Sequence, residues 1–300
     1  MGSANESPSL DRSLVKRRFG RAAPHWDEAA VLYREVGDRL LDRLALTRFK
    51  PRIVCDVGCG TGLVTLDLAR RYRGVKLYAS EMAPDLLALV RARAPWLRPW
   101  SCLCAYPDQL PLRDASCDLL FSNLALQWSN DVGSAMSEFS RVLRADGLLM
   151  FATLGPDTLW ELRASWRSAD ECPHVHGFLD LHDLGDAMLR AGLRDPVTDV
   201  ERLTLTYGDV KALLSDLKSL GATNALWGRR AGLTGKERLQ AMISSYETHR
   251  CEGRIPATFE IVYGHAWGKS ETGTRRNDAA SGITEIPLEA LVARLRRRRD

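Results

Sequence analysis

Nine residues constrain this chain more than any other stretch: Val54-Cys-Asp-Val-Gly-Cys-Gly-Thr-Gly62. The apolar run before Gly58 reads as a buried strand, and residues 63–72 after it carry helical spacing. Glycines at 58, 60 and 62 let the backbone turn sharply and let a ligand approach where a Cβ would clash. Dinucleotide-binding proteins share a G-x-G turn of this kind, so the turn alone selects no ligand. Two details do select. Asp56 stands on the strand two residues before the first glycine, where a carboxylate suits an ammonium and repels a pyrophosphate. The third-glycine spacing of the dinucleotide fingerprint is also missing, because Val64-Thr65 occupies that region.

An ammonium-bearing ligand beside a glycine turn points to the amino-acid end of S-adenosylmethionine. Glu81 agrees: it follows the next strand, about twenty residues beyond the loop, where an acid accepts both ribose hydroxyls. Alone, Glu81 would be an ordinary surface acid at a strand end.

Around this motif the chain alternates between two periods. Strands are expected over residues 52–58, 75–80, 100–105, 118–122 and 147–154, with helices over 63–72, 86–93 and 132–143. That spacing builds a mostly parallel sheet covered on both faces. Residues 156–192 read as helical with one loop around Pro173. Strands over 197–207 and 257–267 then flank helices over 210–220 and 237–249. The expected fold is therefore a Rossmann-like α/β fold: a mostly parallel seven-stranded sheet with a helical insertion (208–253) before the last strand. Residues 13–48 read as an N-terminal helical lid, with Ala29, Leu32, Tyr33, Val36, Leu40, Leu41 and Leu44 on one face. Residues 13–268 form the domain, 1–12 a disordered N-terminus and 269–300 a polar, Arg-rich, mobile tail.

Composition narrows the function. The net charge is +4, and part of that surplus sits in Arg294, Arg296, Arg297, Arg298 and Arg299, so no nucleic-acid-binding face is expected on the folded part. Seven cysteines with no CxxC pair point to reduced thiols and a cytoplasmic protein. No apolar run is long enough to span a bilayer. His174, His176 and His182 with Asp183 fit no common zinc spacing, so no metal is expected. Cys59 has no cation near it in sequence and is not expected to be reactive.

Four further blocks carry a narrower resemblance: FGRAAPHW (19–26), SNLALQW (122–128), TLGPDTLWELRASW (153–166) and LKSLGATN (217–224). With DVGCGTG and Glu81, they make the chain resemble the malonyl-[acyl-carrier protein] O-methyltransferase family of biotin synthesis, within the class I methyltransferases. The resemblance implies S-adenosyl-L-methionine as cofactor, held by Asp56, Gly58, Cys59, Gly60 and Gly62 at the methionine end. It implies Glu81 at the ribose, Met82 beside the adenine, Tyr106, Pro107 and Asp108 at the adenine edge, and Asn123 and Leu124 near the sulfonium. The family commonly has Asp where Tyr106 stands, which leaves Asp108 as the alternative partner for the adenine amino group. Trp26 replaces a usual Tyr and Tyr33 a usual Gln in the lid.

The implied acceptor is the carboxylate of a malonyl group on acyl carrier protein. A carboxylate is ionised at neutral pH, so no general base is needed. Asn123 and Gln127 would position the reactants, in a site where orientation is worth roughly 7–11 kcal/mol. Arg163 is the candidate carboxylate clamp, with Trp26, Tyr33, Trp128 and Lys218 as further substrate contacts. Trp128, Trp166 and Trp227 read as core or pocket wall. Lys211, Lys218, Arg229, Arg230, Lys236 and Arg238 on the insertion would face an acidic carrier. Other small-molecule acceptors stay open, as does a methyltransferase-like assembly factor or protein hydroxylase that binds the cofactor without transferring its methyl group.

Overall fold

The computed structural model describes residues 9–97, 99–229, 232, 234–269, 276–278 and 283–285. Three helices come first: α1 (Arg12–Ala22), α2 (Trp26–Ala29) and α3 (Val31–Leu46). Alternation follows through β1 (Ile53–Val57), α4 (Leu63–Arg71), β2 (Lys76–Glu81), α5 (Pro84–Arg93), β3 (Ser101–Cys104), β4 (Cys117–Asn123), α6 (Val132–Val142) and β5 (Leu143–Leu154). The second half holds α7 (Trp160–Arg167), α8 (Leu181–Arg190), β6 (Arg194–Tyr207), α9 (Val210–Ser219), α10 (Lys236–Glu247) and β7 (Ile255–Trp267). Of the expected tail, β8 (Arg276–Asp278) pairs antiparallel with β9 (Ile283–Glu285); apart from these strands and Lys269 it lies outside the described residues.

The main sheet has the order β3-β2-β1-β4-β5-β7-β6. Every neighbouring pair is parallel except the two made by β7. Side chains divide by parity between two cores, as a two-residue strand period requires. Val54, Leu119, Phe121, Leu148 and Met150 pack with α3, α4 and α5 on one face. Cys55, Leu120, Leu149, Phe151 and Val262 pack with α6 and α8 on the other. Strand order reverses at β1, between β2 and β4, so a crevice opens at the carboxyl ends of β1 and β4.

The N-terminal segment differs from expectation in two ways. Residues 9–12 are not loose: Leu10 is buried, its N–H donates to Asn130 Oδ1 at 2.7 Å, and Asp11 N–H donates to Ala225 O at 2.8 Å. The other eight expected disordered residues, 1–8, lie outside the described residues. The helical lid expected over 13–48 is interrupted at residues 23–25 and at residue 30, where Pro24 sits in a short 3-10 turn (Ala23–His25) and Ala30 leaves helical geometry. The break folds α1 back over the crevice, where Phe19 and Trp26 join a third apolar cluster with Met82, Leu86 and Trp128. In the second half, the loop between α7 and α8 runs over residues 168–180, longer than expected around Pro173.

Candidate active site

The crevice collects the glycine loop and two buried acids. Asp56, on β1, accepts from Thr65 Oγ1 at 2.6 Å. Burial pushes its carboxyl up to about 7, against the opposing pull of that hydroxyl. Glu81 ends β2 and accepts from Gly60 N–H at 3.1 Å and Ala83 N–H at 2.9 Å. Burial raises it to about 7 as well, opposed by those backbone donors. The two acids therefore flank a loop whose own N–H groups face one of them.

The three glycines do different work. Gly58, at φ +72°, would bring a Cβ to 2.2 Å from the Cβ of Ala125, and Gly62 packs against Val90 of α5. A Cβ on Gly60, at φ +57°, would project toward the indole of Trp26 at ordinary contact distance. Gly60 is thus the position where the backbone lies bare to a ligand space.

Two cavities lie here. The first is lined by Asp56, Gly58, Cys59, Gly60, Glu81, Met82, Pro107 and Asn123, and is roofed by Phe19 and Trp26. The second is lined by Gln127, Trp166, His174, His176, Phe178 and Lys218, among others. Space for water-sized bodies is about 60 Å³ in the first and about 400 Å³ in the second. Tyr33, Leu124 and Trp128 line both, so they form a common wall. Leu124 holds a left-handed backbone at φ +50°, an uncommon and costly conformation for a residue other than glycine. Aromatic rings run along this wall: Trp26 to Phe19 at 5.1 Å and Phe19 to Trp128 at 5.0 Å edge to face, then Trp128 to His176 at 5.2 Å and His176 to Phe178 at 4.5 Å tilted.

Most residues singled out from the sequence meet at these cavities. Asn123 Nδ2 donates to Tyr33 O at 2.8 Å, while its Oδ1 is buried with no partner. Tyr106 and Asp108 are both pinned by Arg12, which lies over the Tyr106 ring at 5.0 Å and pairs with Asp108 Oδ2; Asp108 Oδ1 is buried without a partner. Gln127 lines only the second cavity, where its Nε2 donates to Leu124 O at 2.6 Å and its Oε1 accepts from Thr153.

Arg163 is a correction. Its guanidinium donates to Pro156 O at 3.0 Å and Thr158 O at 3.1 Å, and it lines neither cavity. It closes the loop after β5 instead of presenting charge to a ligand. Trp227 is a second correction: it is 65% exposed, whereas Trp128 and Trp166 are buried. Cys59 faces the first cavity, and burial drives its thiol well above the usual range. His174 pairs with Asp170 at 2.8 Å and stacks on Trp166, and His182 sits in the first turn of α8. Among the described residues no three of His, Cys, Asp or Glu gather around a common point.

Sequence reading missed that His176 lines the larger cavity and that Glu161 is structural. Glu161, in the middle of the TLWELR block, is buried and accepts from Thr258 N–H and Oγ1 on β7. An acid two residues before the expected clamp, Arg163, was the available signal.

A seven-stranded sheet of this order, with an acid-flanked glycine turn at its switch point, defines a class I methyltransferase fold. A family model described as "Methyltransferase domain" matches residues 55–151. Solved structures with the same fold include a putative methyltransferase from Bacillus halodurans (TM-score 0.57, 16% identity, 77% of this chain and 99% of that one). The YcgJ protein of Bacillus subtilis is similar at TM-score 0.56 and 16% identity, over 78% of this chain and 99% of that one. Sequence relatives are far nearer. The malonyl-[acyl-carrier protein] O-methyltransferase of Halorhodospira halophila is 48% identical over 98% of this chain and 99% of its own length. That of Laribacter hongkongensis is 46% identical over 92% and 96%. The chain belongs to the malonyl-[acyl-carrier protein] O-methyltransferase family.

Proposed function

We propose that the protein methylates the free carboxylate of a malonyl group carried by acyl carrier protein, using S-adenosylmethionine, at an early step of biotin synthesis. The observation that carries this reading is the pair of cavities with one shared wall at Tyr33, Leu124 and Trp128. One cavity has the polar set for the cofactor, and the other is larger and mainly apolar, suited to an acyl arm.

The residues of the first cavity fit the cofactor. Asp56 would hold the ammonium, whose charge matches a buried acid with no cation beside it. Glu81 keeps lone pairs for the ribose hydroxyls; outside the cavity lining but next to its residue Pro107, the orphaned Asp108 Oδ1 suits the adenine amino group. Bare Gly60 leaves room for the chain between them. When bound, the cofactor would supply an electrophilic methyl carbon to a carboxylate oxygen, with its sulfur as the leaving group that keeps the bonding electron pair. No proton moves in that exchange, which is why the wall needs no base. Trp26 and Phe19 exclude water, and Asn123 and Leu124 set the approach.

The seven free thiols support a reducing, cytoplasmic setting, and no helix among the described residues is long and apolar enough to cross a membrane. The test is incubation with labelled S-adenosylmethionine and malonyl-carrier protein. A base-labile methyl ester on the malonyl group is the expected product. Cofactor binding without that ester would overturn the acceptor.

A further inference from the structure

His176 stands on the loop over residues 168–180, and with His174, Val175 and Phe178 it lines the larger cavity. Its ring is held between two others, with the centroid of Trp128 at 5.2 Å and that of Phe178 at 4.5 Å. Nε2 is buried and has no hydrogen-bond partner. Buried polar atoms are nearly always satisfied, so an orphan on a cavity wall marks a place for a polar atom of the ligand.

The position of the ring proton decides what kind of atom that is. Burial holds the ring down at about 4, against the Gln127 backbone carbonyl and aided by the charge of Arg163. The ring is therefore neutral at neutral pH and carries one proton. Since Nε2 is unpartnered, Nδ1 is the nitrogen that meets the Gln127 carbonyl, and the carbonyl keeps the proton there. Nε2 is left with a lone pair and no hydrogen, an acceptor in want of a donor. Two neighbouring donors are already engaged. The Trp128 indole N–H has the Tyr33 hydroxyl as its partner, and Arg163 is held by two loop carbonyls. A ring held this low is a weak base, so Nε2 suits hydrogen bonding and not proton abstraction.

We propose that His176 Nε2 accepts a hydrogen bond from the first amide N–H of the pantetheine arm that carries the acyl group. The inference rests on the malonyl reading above and gives the larger cavity a polar fix on its ligand. Between the malonyl carboxylate and that amide the arm offers only acceptor atoms and methylenes, so this N–H is the first donor along it. His176 lies one ring behind Trp128, which lines both cavities, and the contact therefore falls on the arm's side of the shared wall. A fixed acceptor there sets how far the arm enters, and so where the carboxylate meets the methyl group. It also selects against simple alkyl thioesters, which would leave Nε2 desolvated and unpaired.

The test uses two small malonyl thioesters: that of N-acetylcysteamine, which keeps this amide, and its analogue with an ester oxygen in place of the N–H. Binding is measured by calorimetry with S-adenosylhomocysteine present, which permits no turnover. Wild type should bind the amide at least about tenfold more tightly than the ester. His176→Phe should lose that selectivity by weakening the amide alone, with the ester and S-adenosylhomocysteine affinities unchanged. His176→Gln, whose side-chain oxygen can reach the place of Nε2, should recover much of it. Nitrogen NMR of the wild-type ring should show the proton on Nδ1, both free and with the amide bound. If wild type binds S-adenosylhomocysteine but neither thioester, the malonyl reading falls and this contact with it. Equal binding of the two thioesters by wild type, selectivity kept in His176→Phe, or a ring proton on Nε2 would each overturn the His176 contact alone.

Discussion

The indole Nε1 of Trp26 lies 3.7 Å from the point that a Cβ on Gly60 would occupy, whereas a Cβ on Gly58 would lie 2.2 Å from that of Ala125. The first glycine faces ligand space and the second faces packed protein. Gly60→Val should therefore cut cofactor affinity by about a hundredfold or more, while Gly58→Val should unfold the loop against β4. The positive φ at Gly60 adds about 1–2 kcal/mol of strain to any side chain there. Calorimetric titration of S-adenosylhomocysteine with parallel thermal melts separates these effects. Unchanged affinity in a folded Gly60→Val protein would remove the main support for the cofactor site.

Asp56 and Glu81 make the ligand-free protein sensitive to pH in a stated direction. Burial raises both to about 7 in the folded state, while unfolding returns them to the ordinary carboxylate range. Between those values the folded protein binds more protons than the unfolded chain, so their contribution to stability falls as pH rises through that window. An ammonium beside Asp56 favours its anion. The melting-temperature gain from S-adenosylhomocysteine should therefore grow between about pH 5.5 and 8, and Asp56→Asn should flatten that growth. A pH-independent gain in wild type would count against the Asp56–ammonium contact.

Turnover should behave differently from binding. The acceptor carboxylate titrates near the ordinary carboxylate range, so with both substrates saturating the single-turnover rate should be nearly flat from about pH 6.5 to 8.5. A steep rise through one ionisation would point to a phenol or amine acceptor instead.

Glu161 tests whether the TLWELR block is structural. Its carboxylate accepts from Thr258 N–H at 3.1 Å and joins α7 to β7. Glu161→Ala would leave a buried backbone donor unsatisfied, costing about 1–3 kcal/mol. The expected result is a lower melting temperature with near-normal kcat per folded molecule. A loss of kcat without loss of stability would give Glu161 a role at the reaction itself.

The sheet and the cofactor loop were legible because their signals are local. Apolar residues at strand period, a glycine turn and an acid at each flank sit within about thirty residues, the span of one βαβ unit. The larger cavity was not legible in the same way. Its wall joins Tyr33, the 124–128 segment, His176 and Lys218, which lie far apart in the chain, and no local period links them. Leu10 is buried where residues 225–227 pair with 9–11, a contact over two hundred positions long. Arg163 shows the finer limit: its segment adjoins the crevice as expected, but two loop carbonyls decide where its guanidinium goes.

If the acceptor is malonyl-carrier protein, α1 offers it a basic landing place beside the larger cavity. Arg18 Nη1 donates to Asn224 O at 2.6 Å, and Gly221 packs directly on the backbone of Arg18. This brings α1 beside Ala222, Thr223 and Asn224, which line the larger cavity. Burial, Arg229 and Arg17 all act to lower the Arg18 pKa, with Asp11 opposing, so like charges gather at this edge. Of the insertion charges, Lys218 faces the cavity and Arg230 lies outside the described residues. Arg17 and Arg21 are exposed on α1. Arg17→Glu with Arg21→Glu should raise KM for malonyl-carrier protein about fivefold at low salt, an effect that fades as salt rises. Malonyl-pantetheine, which lacks the acidic protein, should be turned over unchanged. Equal impairment of both substrates would mean that the pair supports the lid, and that the carrier docks elsewhere.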